Sequence, residues 1–76
     1  MKITGTSTYM KVEMDDGKIV KFQGEFLVNG FVAYKNTAKN WEPPNENIAF
    51  TQEDLQNVMD AVIENNKTTK FQVEFD

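Results

Sequence analysis

The chain has 76 residues, so we expect residues 1–76 to form a single domain. It contains neither Cys nor His, which removes the usual metal ligands, thiolate nucleophile and neutral-pH general base, so we expect no metal, no cofactor and no enzymatic activity. Eight lysines against 12 acidic residues give a net charge of −4, and a chain of this charge is expected to bind neither nucleic acid nor anionic membranes.

The first predicted hairpin joins strands at residues 8–14 and 18–28, in which apolar and polar residues alternate. A three-residue loop, Asp15–Gly17, pairs Val12 with Val20 and places the apolar residues of both strands on one face. A two-residue loop would put them on opposite faces. We therefore predict the three-residue loop, whose glycine takes the left-handed conformation without steric cost.

The second predicted strand carries this apolar face along its whole length. The residues predicted on its core face are Val20, Phe22, Phe26 and Val28. Gly24 interrupts the face, and we expect it to mark a bulge or a bend because a glycine in a strand leaves no side chain to pack.

A second hairpin is predicted at Asn29-Gly30, the pair most typical of a two-residue type I′ turn. This turn pairs Phe26 with Ala33 on the core face. On the outer face it pairs Leu27 with Val32, which predicts an apolar patch suited to a dimer contact.

A loop of about twelve residues, 36–47, follows the third predicted strand, and loops of this length tend to be functional or mobile. Trp41 precedes Glu42 and the pair Pro43 and Pro44, which excludes a helix and holds the preceding residues extended. A large aromatic side chain beside a stiff segment costs little entropy to present to a partner. The alternative is that the indole folds back and caps the open end of the core.

An amphipathic helix is predicted after Thr51, which forms a capping box with Asp54 three residues later. The apolar stripe of this helix consists of Leu55, Val58, Met59, Val62 and Ile63. The outward positions are Gln56, Asn57, Asp60 and Glu64. Asn65-Asn66 is expected to end the helix, since Asn tolerates the left-handed conformation found at helix ends.

A last strand is predicted where Phe71, Val73 and Phe75 alternate with polar residues, and residues 1–6 are a candidate for a further edge strand. The fold class is α+β: an antiparallel meander of three strands, one helix packed on one sheet face, then a C-terminal strand, in the order β-β-β-α-β. A right-handed crossover makes the last strand parallel to its neighbour. Either the first or the third strand could be that neighbour, and we favour the first.

The segments Gly30–Lys35 (GFVAYK) and Lys39–Pro44 (KNWEPP), followed by an acidic helix, resemble the Imm74 family, the predicted immunity proteins of bacterial polymorphic toxin systems. The resemblance covers nearly the whole chain and includes the Asp-Asp-Gly hairpin and the short C-terminal strand. It implies a small cytoplasmic inhibitor that binds one cognate protein toxin and shields the producing cell.

The acidic residues of the chain are concentrated in residues 40–66, which contain no lysine. The preference of a helix N-terminus for acidic residues accounts for Glu53 and Asp54, but not for Glu42 or Glu46. An acidic surface accelerates the capture of a basic protein, so we expect a basic toxin, such as a nuclease.

The surface expected to contact the toxin combines the loop with the outer side of the helix. The candidate contacts are Tyr34, Lys39, Trp41, Glu42, Pro43, Pro44, Glu46, Asp60 and Glu64. A competing hypothesis is a small structural or regulatory module that forms a homodimer through Leu27 and Val32. Residues 1–5 lack the apolar segment of a signal peptide and no apolar run approaches membrane-spanning length, so we expect a cytoplasmic protein.

Overall fold

The computed structural model describes residues 1–76 as a five-stranded mixed sheet with one α-helix against one face. The elements are β1 (Lys2–Gly5), β2 (Tyr9–Glu13), β3 (Ile19–Leu27), β4 (Gly30–Ala33), a 3₁₀ turn (Lys35–Thr37), α1 (Gln52–Asn66) and β5 (Gln72–Phe75). Neighbouring strands in sequence are neighbours in the sheet, and only β4 and β5 pair in parallel. The α+β class is confirmed, but the meander has four strands because β1 joins it as an edge strand.

The register of the first hairpin is the predicted one. Val12 lies opposite Val20, Met10 lies opposite Phe22, and all four side chains are buried. The loop has three residues, and its Gly17 has a φ of 91°, in the left-handed region that glycine adopts without strain. The loop therefore has the length that buries the apolar residues of β2 and β3 on the same face.

Strand β3 pairs with different partners along its length. Residues 19–23 pair with β2 and residues 24–27 pair with β4, so the partner changes between Gln23 and Gly24. The ring of Phe31 lies against Gly24, where a Cβ atom would overlap it. The glycine within the apolar face thus makes room for a core aromatic ring.

The second hairpin differs from its prediction. Leu27 pairs with Gly30 and Phe26 pairs with Phe31, so the two loop residues are Val28 and Asn29. Only Asn29 has a positive φ, of 63°, whereas a type I′ turn needs positive φ at both central residues. The predicted Asn29-Gly30 loop and the pairing of Phe26 with Ala33 are therefore wrong.

The position of Gly30 explains this difference. Gly30 lies opposite Gln72 of β5, and a Cβ atom on it would overlap the carbonyl oxygen of Gln72. The glycine is required for the close approach of β5 and not for the turn. The shifted register also places Glu25, not Leu27, opposite Val32 on the outer face.

The helix begins as predicted, but no left-handed Asn ends it: it runs through Asn66, and its C-cap, Lys67, is right-handed with a φ of −69°. Thr51 and Asp54 form both bonds of the capping box: Asp54 N donates to Thr51 Oγ1 over 3.0 Å and Thr51 N donates to Asp54 Oδ2 over 2.9 Å. Leu55, Val58 and Val62 of the predicted stripe are buried. Met59 is half-buried, and Ile63 is 50% exposed, so the buried stripe is narrower than predicted.

Strand β5 is parallel to its neighbour, as predicted, but that neighbour is β4 and not the first predicted strand. The outer edge of β2 is occupied by β1, so of the two candidate neighbours only β4 has an edge free for β5. The side chain of Asn66, at the end of α1, also fixes β5 in place. Its amide nitrogen donates to Val73 O over 2.9 Å and its oxygen accepts from Val73 N over 3.0 Å.

The helix covers only part of the inner face of the sheet, and its backbone approaches β5 most closely. The buried core consists of Met10, Val12, Val20, Phe22, Phe31, Ala33, Ala38, Trp41, Leu55, Val58, Val62 and Val73. Phe26 and Val28, which were predicted to belong to it, are 59% and 92% exposed. Phe26 lies on the predicted face of β3 but beyond the region that the helix covers, and Val28 lies in the turn after β3. No helix of the chain has the length and apolar character needed to cross a membrane.

Candidate protein-binding surfaces

Trp41 lies in the core, with 5% of its surface exposed. Its backbone forms an isolated antiparallel bridge with Val20, in the part of β3 that β4 does not reach. The indole ring packs edge-on against Phe50, with ring centroids 4.9 Å apart. The burial removes Trp41 from the surface, and the core-capping alternative is the one that the structure supports.

One polar atom of Trp41 is unpaired. The indole Nε1 is buried and has no hydrogen-bond partner, although Lys18 Nζ lies 5.6 Å from the ring centroid and forms a cation–π contact. An unpaired buried donor costs about 1–3 kcal/mol. The ring is therefore retained for its apolar area and not for a hydrogen bond.

The loop that follows Trp41 forms a turn instead of an extended segment. Asn45 N donates to Glu42 O over 3.0 Å, and the peptide bond between Pro43 and Pro44 within this turn is cis. Pro43 and Pro44 within the turn are exposed, as are Lys39 before it and Glu46 after it. Glu42 is half-buried and pairs with Lys11 on the outer face of the sheet, with 3.7 Å between Oε1 and Nζ.

Tyr34 lies on the outer face of the sheet, opposite the helix, because it alternates with the buried Ala33. Its hydroxyl donates to Glu25 Oε2 over 2.8 Å. This hydrogen bond to the carboxylate raises the pKa of Tyr34, because it favours the protonated phenol. Tyr34 is thus separated from the loop and helix residues with which it was grouped.

The predicted helix contacts, Asp60 and Glu64, are both exposed. Glu53 is also exposed, and its spacing of seven and eleven residues from them places all three acids on one side of the helix. Gln56 donates to Asp60 over 2.9 Å, and Glu64 pairs with Lys67 over 3.0 Å, just beyond the helix end. The helix itself contains no basic residue, so its outer side is an acidic face.

A groove on the helix side of the sheet was not predicted from the sequence. It has a volume of about 630 Å³ and lies between the β1–β2 turn, the end of β3 and the C-terminal end of α1. Its principal lining residues are Ile3, Met10, Phe26, Phe31, Asn65 and Phe71. None of the residues that line the groove is charged. The rings of Phe26 and Phe71 lie against each other, with centroids 6.2 Å apart.

One signal in the sequence could have indicated an uncovered area of the sheet. A helix with its side chains is about 10–12 Å wide, whereas five strands about 4.8 Å apart extend over about 19 Å. A single helix therefore cannot cover the inner face of the sheet, and some apolar residues of that face must remain exposed. The periodicity assigned Phe26 to this face correctly but contained no information about which part the helix covers.

No group of three or more Asp or Glu side chains lies close enough together to hold a metal ion.

The chain matches the family model of Immunity protein 74 (Imm74) from residue 2 to residue 76. It belongs to the Imm74 family. The resemblance seen in the GFVAYK and KNWEPP segments is thereby confirmed over essentially the whole chain. No curated protein and no solved structure matches the chain.

For this Imm74 protein, the predicted contacts fall on three regions and not on one surface. The exposed loop residues form the first, the acidic helix face the second, and the outer face of the sheet, where Tyr34 and Glu42 bind different partners, the third, while Trp41 is buried. The groove is a fourth region and the most apolar one. A single rigid partner can reach the helix face and the groove together, because both lie on the helix side of the sheet.

Proposed function

We propose that this protein binds a cognate bacterial toxin and neutralises it by covering the toxin's active site or an adjacent surface. The family match over residues 2–76 is the observation that carries this proposal, because the family is one of immunity proteins. Inhibition by occlusion requires shape and charge complementarity and no chemical step by the inhibitor.

The charge distribution supports a basic toxin, such as a nuclease, as the partner. The net charge is −4, and α1 itself contains no lysine, although Lys67 just beyond its end pairs with Glu64. Opposite charge on the partner raises the rate of encounter through long-range attraction. The place of action under this proposal is the cytoplasm of the producing cell.

Of the predicted contacts, the helix residues Asp60 and Glu64 remain the best supported, since both are exposed on the acidic face. Lys39, Pro43, Pro44 and Glu46 are exposed on the loop and are retained as contacts. The alternative of a sheet-mediated homodimer has weaker support. Leu27 is 42% exposed, but Glu25 and not Leu27 lies opposite Val32, which breaks the proposed apolar patch.

The test uses the toxin encoded directly upstream of the gene for this chain. Bacteria that produce this toxin are expected to stop growing, and co-production of the chain is expected to restore growth. The two purified proteins are expected to elute together in gel filtration, and the toxin's activity on its substrate is expected to fall as the chain is titrated in. Normal toxin activity in the presence of excess folded chain would contradict the proposal.

A further inference from the structure

The apolar groove is open to solvent, although a protein of this size has few apolar side chains from which to form its core. Phe26 and Phe71, which both line the groove, are 59% and 36% exposed. Isolated exposed apolar residues are ordinary, but a contiguous apolar groove marks an interaction site. The contact between the rings of Phe26 and Phe71 makes these residues one continuous surface.

The chemistry of the groove defines what fits it. Charged residues make up 26% of the chain, yet none lines the groove. A charged side chain placed there would lose its hydration without gaining a partner of opposite charge. Ser7 and Asn65 at its edge offer a hydroxyl and an amide for hydrogen bonds to a peptide backbone. The groove therefore suits apolar side chains on an uncharged stretch of polypeptide.

We infer that this groove is the anchor site for an uncharged apolar segment of the cognate toxin. The inference rests on the proposed function, since it names the surface and the chemistry through which the toxin is held. A second copy of the chain is the less suitable occupant. Two copies that each carry a net charge of −4 repel each other, and a two-fold axis would place one concave groove against the other.

The groove and the acidic helix face contribute to different rates. Charges at the edge of an interface act mainly on association, whereas apolar anchors that are buried at its centre act mainly on dissociation. The acidic face thus brings the toxin close, and the groove then retains it. This division allows the two surfaces to be tested separately by kinetics.

The experiment measures association and dissociation rates between the purified chain and the toxin encoded upstream of it, by surface plasmon resonance. Phe26→Gln and Phe71→Gln each remove an aromatic ring from the groove without changing the net charge. Ile63→Gln is the matched control, because Ile63 is a half-exposed apolar residue that does not line the groove. Phe26→Gln is expected to raise Kd by about tenfold or more, mainly through faster dissociation, with a smaller effect in the same direction from Phe71→Gln, whose ring is less exposed. Ile63→Gln is expected to bind like the wild type.

Phe71→Gln keeps the test valid if Phe26→Gln folds poorly, because it alters the same groove from a different segment of the chain. Wild-type dissociation rates for both groove variants, with normal toxin binding by the wild type, would overturn the inference and leave the proposed function in place. Failure of the wild-type chain to bind the toxin would remove both. A wild-type dimer in sedimentation that Phe26→Gln dissociates, with unchanged toxin affinity, would show that the occupant is a second copy.

Discussion

At the scale of single residues, Trp41 shows how burial separates two interpretations that the sequence left open. Trp41→Ala is expected to cost about 3–5 kcal/mol, which equals the whole margin of about 3–5 kcal/mol for so small a core. Urea unfolding followed by circular dichroism is expected to show a chain that is largely unfolded in buffer.

Trp41→Phe provides the control for this substitution. It keeps an aromatic ring against Phe50 and removes the indole donor that has no partner, so its cost is expected to be well below that of alanine. If Trp41→Ala were as stable as the wild type but no longer bound the toxin, the residue would have to be a contact after all.

The hydrogen bond between Tyr34 and Glu25 leads to a prediction about pH. The bond raises the pKa of Tyr34, so the stability it provides is fully present below the ordinary tyrosine value of about 10 and is lost as pH rises through the raised value. Glu25→Gln is expected to lower the pKa of Tyr34 toward its ordinary value. The pKa is measured by the ultraviolet absorbance of the phenolate in a Tyr9→Phe background, in which Tyr34 is the only tyrosine. An unchanged titration in Glu25→Gln would show that the bond is not formed in solution.

At the scale of elements, the helix depends on its first turn. Thr51→Ala removes the side-chain acceptor of the capping box and is expected to lower the free energy of unfolding by about 1 kcal/mol, within a range of about 0.5–2 kcal/mol. Thr51→Ser retains the hydroxyl and is expected to unfold at nearly the wild-type urea concentration. Equal stability of the two variants would mean that the cap contributes nothing.

The junction of β4 with β5 depends on Gly30. Gly30→Ala is expected to destabilise the fold by about 1–3 kcal/mol, because its methyl group would overlap the carbonyl oxygen of Gln72 and push β5 away. Asn29→Gly keeps the positive φ of the turn and is expected to change stability by less than about 0.5 kcal/mol. Urea denaturation of both variants measures the difference, and a fully stable Gly30→Ala would contradict the assigned register.

These two elements also show what the sequence could and could not predict. The start of the helix and the first hairpin follow from local signals, namely the capping box at Thr51 and the alternation around Asp15–Gly17. The second hairpin was predicted wrongly because a glycine needed for a turn and a glycine needed for the close approach of two strands look alike in sequence. Gly30 was taken as a turn residue, but its role is set by β5, a strand that is distant in sequence.

The candidate site was harder to predict than the fold, for a related reason. Exposure of the acids on the outer side of α1 follows from helical periodicity and was predicted. The groove arises from the width of one helix relative to the sheet, so it is a property of the assembled elements. Trp41 is buried because the loop packs on a part of β3 that β4 does not cover. Phe26 is exposed because the helix does not cover the other end of β3.

At the scale of the whole molecule, the distribution of charge leads to a prediction about kinetics. If the toxin is basic, its association rate is expected to fall by about tenfold or more between low and high salt, because salt screens long-range attraction. Asp60→Asn with Glu64→Gln is expected to weaken this dependence. Stopped-flow measurements over a series of salt concentrations test it.

The control removes the same amount of charge from the other side of the molecule. Glu13→Gln with Glu74→Gln neutralises two exposed acids on the outer face of the sheet, away from the helix. This pair is expected to change the salt dependence less than the helix pair does. An association rate that is independent of salt in the wild type would rule out electrostatic steering.

The parallel pairing of β4 with β5 determines when a newly made chain can fold. Phe31 of β4 pairs with Val73 of β5, and Phe75 packs edge-on against Phe22, so the sheet and its core are incomplete until residues 72–75 have left the ribosome. A nascent chain that lacks them exposes the edge of β4 and part of its core. Under the proposed function, a copy of the inhibitor protects the cell only after residues 72–75 have left the ribosome and paired.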